Sequence, residues 1–128
     1  MQRGMIVVGM ADLNVTRAPG TLTTLGLGSC VGIALYDPAT KIAGLAHIML
    51  PDSKAIHNNS NVAKFADTAI VKMIADMERL GARRANITAK IAGGAHLIFP
   101  CLQSVLLLLC PQILLHLNYC VSALSLAA

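Results

Sequence analysis

Thr24-Leu25-Gly26-Leu27-Gly28-Ser29-Cys30 is a short apolar run that opens into two glycines and delivers a cysteine. The threonines of 21–25 favour extended structure, so this segment reads as a strand. Gly26 and Gly28 admit backbone conformations that other residues resist. A Gly-x-Gly by itself reads as a tight turn. Next to a cysteine it also reads as a loop that points amide N–H groups at a reacting carbonyl. Downstream, 31–36 reads as a strand, Asp37-Pro38-Ala39-Thr40 as a type I turn, and 41–50 as a second strand pairing antiparallel with the first. That strand carries His47-Ile48-Met49-Leu50 and runs into Pro51. Both faces of the hairpin are apolar or small, which places it centrally and covered on both sides. A thiol, an imidazole and a hydroxyl thus converge on one small sheet.

Outward from this centre, 5–11 reads as a first strand rich in Ile and Val. Residues 12–20, with Asn14, Arg17, Pro19 and Gly20, read mainly as connection. Residues 51–61 form a polar loop, from which Ser60 or Asn61 caps the next helix. That helix, 62–80, is the clearest regular element. Phe65, Ala69, Ile70, Met73, Ile74 and Met77 recur at helical spacing on one face, Lys64, Asp67, Lys72, Asp76 and Arg79 largely fill the other, and Gly81 ends it. Met73 and Met77 read as core packing. A last strand over 86–92 leads into Gly93-Gly94-Ala95. The pattern is that of an α/β domain.

The 128 residues suit one domain of ordinary size, with a formal charge of +4 and 3% aromatic residues. No lysine-arginine run, stacking aromatics or zinc spacing is present, which argues against a nucleic-acid module. The apolar run after Met1 is short and closed by Asp12, unlike a secretory signal, so a cytoplasmic location is expected. In that reducing compartment Cys30, Cys101, Cys110 and Cys120 read as thiols, and with no C-x-x-C pair a structural zinc site is not expected.

The chemistry follows from residue types. Only a thiolate is a good nucleophile, and a neighbouring histidine can take the thiol proton. Cys30 is the candidate nucleophile, His47 the candidate base and Thr24 a hydroxyl able to orient the imidazole. Amides around Gly28 to Cys30, with Gly28 and Ser29 foremost, are candidates for an oxyanion site, where one donor contributes about 3–4 kcal/mol. Taken singly, a cysteine or histidine on an apolar strand more often packs than reacts.

Four blocks in order set this chain apart: Thr24 to Cys30 as quoted, Ala46-His47-Ile48-Met49-Leu50-Pro51, Lys64-Phe65-Ala66-Asp67-Thr68-Ala69, and Ala89-Lys90-Ile91-Ala92-Gly93-Gly94-Ala95. Together they resemble the chemoreceptor glutamine deamidase family, CheD, over about residues 5–96, and the 17-residue step from Cys30 to His47 agrees with it. The resemblance implies an α/β sandwich with a mostly antiparallel sheet packed by helices. It implies a protein-glutamine glutaminase that converts receptor glutamines to glutamates through a cysteine thioester, with no metal or organic cofactor. Cys30 then matches the nucleophile, His47 the base and Thr24 the orienting hydroxyl. The implied partners are methyl-accepting chemotaxis receptors and the phosphatase CheC, with the membrane met only through receptors.

All sixteen charged residues lie between Arg3 and Lys90. This break divides the chain into a deamidase-like domain, 1–95, and an atypical apolar tail, 96–128. Three accounts of the tail are open, in this order: a frame change near codon 96 that shortens the domain, a genuine apolar set of elements completing the core, and a membrane anchor over 105–128. Pro111, Gln112, His116 and Asn118 interrupt that last span. A shortened domain makes a second function possible: docking CheC or a receptor helix without turnover.

Overall fold

Two strands joined by Asp37-Pro38-Ala39-Thr40 form the middle of the protein, as the turn chemistry predicts. The computed structural model describes residues 4–94 and the backbone of 123–127. Its strands are β1 (Met5–Val7), β2 (Asp12–Arg17), β3 (Thr21–Leu25), β4 (Val31–Asp37), β5 (Ile42–Ile48), β6 (Thr88–Gly93) and β7 (Ala123–Ala127), with one helix, α1 (Ala66–Leu80). β4 and β5 are the two inner strands of a four-stranded antiparallel sheet ordered β2-β5-β4-β6. A second sheet, ordered β1-β3-β7, pairs β1 with β3 in parallel and β7 with β3 antiparallel.

The central sheet is covered on both faces. Val31, Ile33, Leu35, Ile42, Ala46 and Ile48 share one core with Ile70, Met73 and Met77 of α1. Ala34, Ala43 and Leu45, on the opposite face, pack with Leu22 of the second sheet and with Val8, the residue just after β1. The result is three layers: helix, sheet, sheet. Gly44 lets the helix approach closely, because a Cβ there would lie 2.7 Å from Met73 Cγ. Gly81, at φ 112°, ends α1 as its sequence position predicts, and the Arg17 guanidinium bonds the carbonyl of Leu80.

Two expectations are corrected. Asp12–Arg17 is a strand and not a connection. It is an edge strand in which partly buried Leu13 and Val15 alternate with polar residues facing water, and those polar residues mimic a loop. Asn61 does cap a turn, accepting from the Ala63 N–H at 3.0 Å, but that turn is the 3-10 segment Val62–Lys64. The α-helix begins after Phe65, with no side-chain cap.

The turn after β4 is built on a buried carboxylate. Asp37 Oδ1 accepts from Ala39 and Thr40, and Oδ2 accepts from the Arg83 N–H at 2.9 Å. Burial opposes ionisation, but the backbone N–H donors of Arg83, Thr40 and Ala39 outweigh it and hold the carboxyl below its ordinary range. Among the described residues no helix is long and apolar enough to cross a membrane. Most of the proposed anchor, along with His96, His116 and the cysteines after Cys30, lies outside the described residues.

Candidate active site

Of the three residues named from sequence, Thr24 and His47 meet between the two sheets, and Cys30 stands at the start of β4 beside them in the ladder. His47 sits on β5, on the face of Ala43 and Leu45 that turns away from the helix. Thr24 is the inward residue near the end of β3 and is fully buried. Their side chains meet: Thr24 Oγ1 is 2.8 Å from His47 Nδ1. Cys30 immediately precedes β4. Across the ladder Gly32 faces His47, and the alternation of β4 carries the Cys30 position to that same face, one step along. Such diagonal neighbours lie about 7–8 Å apart in the backbone. Cys30 is a free thiol with 7% of its surface exposed.

A third group sets the protonation of the imidazole. Thr24 Oγ1 also lies 2.8 Å from the carbonyl oxygen of Val8. A carbonyl only accepts, and a hydroxyl has one proton to give. Thr24 therefore donates to Val8 and accepts from His47, so Nδ1 carries the imidazole proton and Nε2 carries the lone pair. Nε2 is buried and has no hydrogen-bond partner among the described residues. Burial also lowers the His47 pKa below its ordinary value, which favours the neutral ring. A buried, neutral imidazole with an unengaged lone pair is poised to take a proton.

The backbone of His47 is held as well. Its carbonyl accepts from the Ala11 N–H at 2.9 Å, and Ala11 adopts φ 54°, a conformation uncommon outside glycine. The Ala11 carbonyl in turn accepts from Asn61 Nδ2 at 3.1 Å.

The glycine loop is a tight turn that presents the thiol. The Cys30 N–H donates to the Leu27 carbonyl at 2.7 Å, closing Leu27-Gly28-Ser29-Cys30. Gly28 has φ 54° at the first central position, where primed turns require it. The Cys30 amide is thus occupied, and the amides of Gly28 and Ser29, both exposed, remain the candidates for an oxyanion. His57 lies on the exposed part of the polar loop.

Val8 escaped sequence reasoning because its contribution is a main-chain carbonyl. The only available signal was the Ile-Val run that makes β1 a strand at all.

Comparison with known proteins bears out the family resemblance. Residues 49–104 match the family model described as CheD chemotactic sensory transduction. That match continues past the compositional break at residue 95. The chain is 59% identical over 93 residues to the probable chemoreceptor glutamine deamidase CheD of Lachnoclostridium phytofermentans, covering 73% of this chain and 58% of that protein. It is 56% identical over 97 residues to the protein of the same name from Caldanaerobacter subterraneus subsp. tengcongensis, covering 76% and 60% respectively. The chain thus spans less than two thirds of the length of these relatives. Among solved structures, the hypothetical protein YfiH of Bacillus licheniformis is similar at 24% identity and a TM-score of 0.44, over 65% of this chain and 27% of that one.

Proposed function

We propose that this chain, similar over 93 residues to chemoreceptor glutamine deamidases, hydrolyses the side-chain amide of selected glutamines in chemotaxis receptors. The observation that carries this reading is the hydrogen-bonded series Val8 carbonyl, Thr24 hydroxyl, His47 Nδ1, which leaves Nε2 unengaged on the Cys30 face of the sheet.

In the proposed reaction His47 Nε2 takes the Cys30 proton as Sγ attacks the glutamine carboxamide carbon. The carbonyl oxygen becomes an oxyanion near the Gly28 and Ser29 amides. Collapse breaks the C–N bond, and the imidazolium returns its proton to the departing nitrogen, which leaves as ammonia. The product on the enzyme is a thioester. Water, deprotonated at Nε2, then attacks that carbon and expels the thiolate, which recovers its proton. The receptor glutamine has become glutamate, and the chain is unchanged. Thr24 keeps the ring in one tautomer throughout.

Receptors of the methyl-accepting class are the proposed substrates, the phosphatase CheC the proposed partner and the cytoplasm the proposed location. We place the site on residues 1–95, all of the described site groups lying there, and assign the uncharged 96–128, of which 96–104 still fall within the family match, to an atypical apolar tail. The pairing of β7 with β3 supports a tail that contributes a strand.

The test is ammonia release from a glutamine-bearing receptor cytoplasmic fragment, with the unaltered chain and Cys30→Ala side by side. Release that disappears in the variant is the expected result. Equal release from both, or none from the folded unaltered chain, would overturn the reading; binding without release would instead identify a docking protein.

A further inference from the structure

The glycine pair at the end of β6, Gly93-Gly94, is a marked block of the sequence with no part in the chemistry above. Gly93 stands opposite Val31, the residue after Cys30. It adopts φ 84°, and a Cβ added to it would lie 2.6 Å from the Cys30 carbonyl oxygen and 3.0 Å from Leu27 Cβ. The obstruction is the backbone of the cysteine itself, so no rotamer change relieves it. Gly94 donates its N–H to the Gly28 carbonyl at 3.4 Å. The turn from Leu27 to Cys30 therefore rests on the end of β6 at both its start and its finish. Gly26 and Gly28 differ from Gly93: each has positive φ but open space where a Cβ would stand. They serve the conformation of the loop, whereas Gly93 serves a contact with the cysteine.

We propose that Gly93 is a positioning residue for Cys30. Its missing side chain lets β6 seat against the Cys30 carbonyl, and that seat sets the thiol relative to His47 Nε2. The proposal rests on Cys30 being the nucleophile and adds what holds it in place. A methyl group at Gly93 moves Cys30 and uncouples the thiol from the imidazole.

The experiment is alkylation of Cys30 by iodoacetamide in the full chain, followed on the Cys30 peptide by mass spectrometry, alongside thermal unfolding. It is run as a double-mutant cycle of Gly93→Ala with His47→Gln. His47→Gln is expected to slow alkylation in the unaltered chain. Gly93→Ala should slow it about tenfold, and His47→Gln should then slow it no further. Gly81→Ala is the control: φ there is 112° and the added Cβ meets only an Arg17 nitrogen at 3.4 Å, at the far end of α1. It should lower the unfolding temperature and leave both the rate and the His47 effect intact.

A wild-type rate in Gly93→Ala, or an equal His47→Gln effect in both backgrounds, overturns the proposal. Should Gly93→Ala fail to fold, Leu27→Ala removes the Cδ1 that faces the Gly93 position at 3.2 Å and loosens the β6 seat from the turn side without backbone strain. It is expected to slow alkylation about threefold and shrink the His47 effect, and no change in either overturns the proposal. Cys30 that alkylates at one rate with and without His47 in the otherwise unaltered chain overturns the underlying nucleophile reading, and this proposal with it.

Discussion

The hydroxyl of Thr24 and the imidazole of His47 share a hydrogen bond of 2.8 Å whose direction is dictated from outside the pair. Because the Thr24 proton goes to the Val8 carbonyl, the His47 proton must sit on Nδ1. Before any substrate arrives Nε2 is thereby the ring nitrogen with the lone pair, and among the described residues no charged side chain bonds the imidazole.

Thr24→Val keeps the shape of the side chain and removes the acceptor. It strands the Val8 carbonyl and frees the ring to hold its proton on either nitrogen. Ammonia release is expected to fall about 100-fold, mainly in kcat. Thr24→Ser restores the hydroxyl and should stay within about threefold of the unaltered chain. Steady-state kinetics on the receptor fragment checks both variants, and equal rates for Val and Ser would remove Thr24 from the site.

The pH dependence of stability should carry the mark of His47. Its folded pKa is lowered by burial from the ordinary histidine value of 6.5, so the unfolded chain takes up the proton first as pH falls. The contribution is complete above about pH 6.5 and is lost as pH falls toward the lower folded value. Urea unfolding between about pH 5 and 8 should show this slope, and His47→Gln should flatten it.

Asp37 acts further down the scale. Its folded pKa lies below 3.8, so its stabilising contribution is present above that value and is lost as pH falls through the folded one. Asp37→Asn turns an acceptor toward the N–H groups of Ala39, Thr40 and Arg83 that can no longer serve all three. The variant should lose about 2 kcal/mol at neutral pH, with a shallower acid limb. Denaturant titrations at neutral and acid pH measure both effects.

Gly44→Ala tests the helix seat. The added methyl would meet Met73 Cγ at 2.7 Å and Met77 Sδ at 3.2 Å in a filled core. A loss of about 1–3 kcal/mol is expected from overpacking, read as a lower urea midpoint with an unchanged slope. An unchanged midpoint would mean that both methionines repack freely.

The hairpin and the helix were legible because their signals are local. Asp37-Pro38 announces the turn between β4 and β5, and the spacing from Phe65 to Met77 announces the buried face of α1. β2 reads as a connection because only Leu13 and Val15 pack on the core, and an edge strand needs no more than that. Asn61 reads as a cap of the helix, but it caps the 3-10 turn instead, because Leu50 bridges to Phe65, 15 residues on, where the chain is still extended.

The residue types alone determined that a thiol, an imidazole and a hydroxyl stand beside one central hairpin, because side-chain chemistry and strand alternation are written residue by residue. The tertiary structure decided which nitrogen of His47 is free and where Cys30 sits. The first depends on the Val8 carbonyl, brought beside Thr24 by the parallel pairing of β1 with β3. The second depends on Gly93, some sixty residues beyond Cys30, closing against its backbone. Main-chain carbonyls and absent side chains look alike wherever they occur in a sequence; only the folded chain shows which of them touches the site.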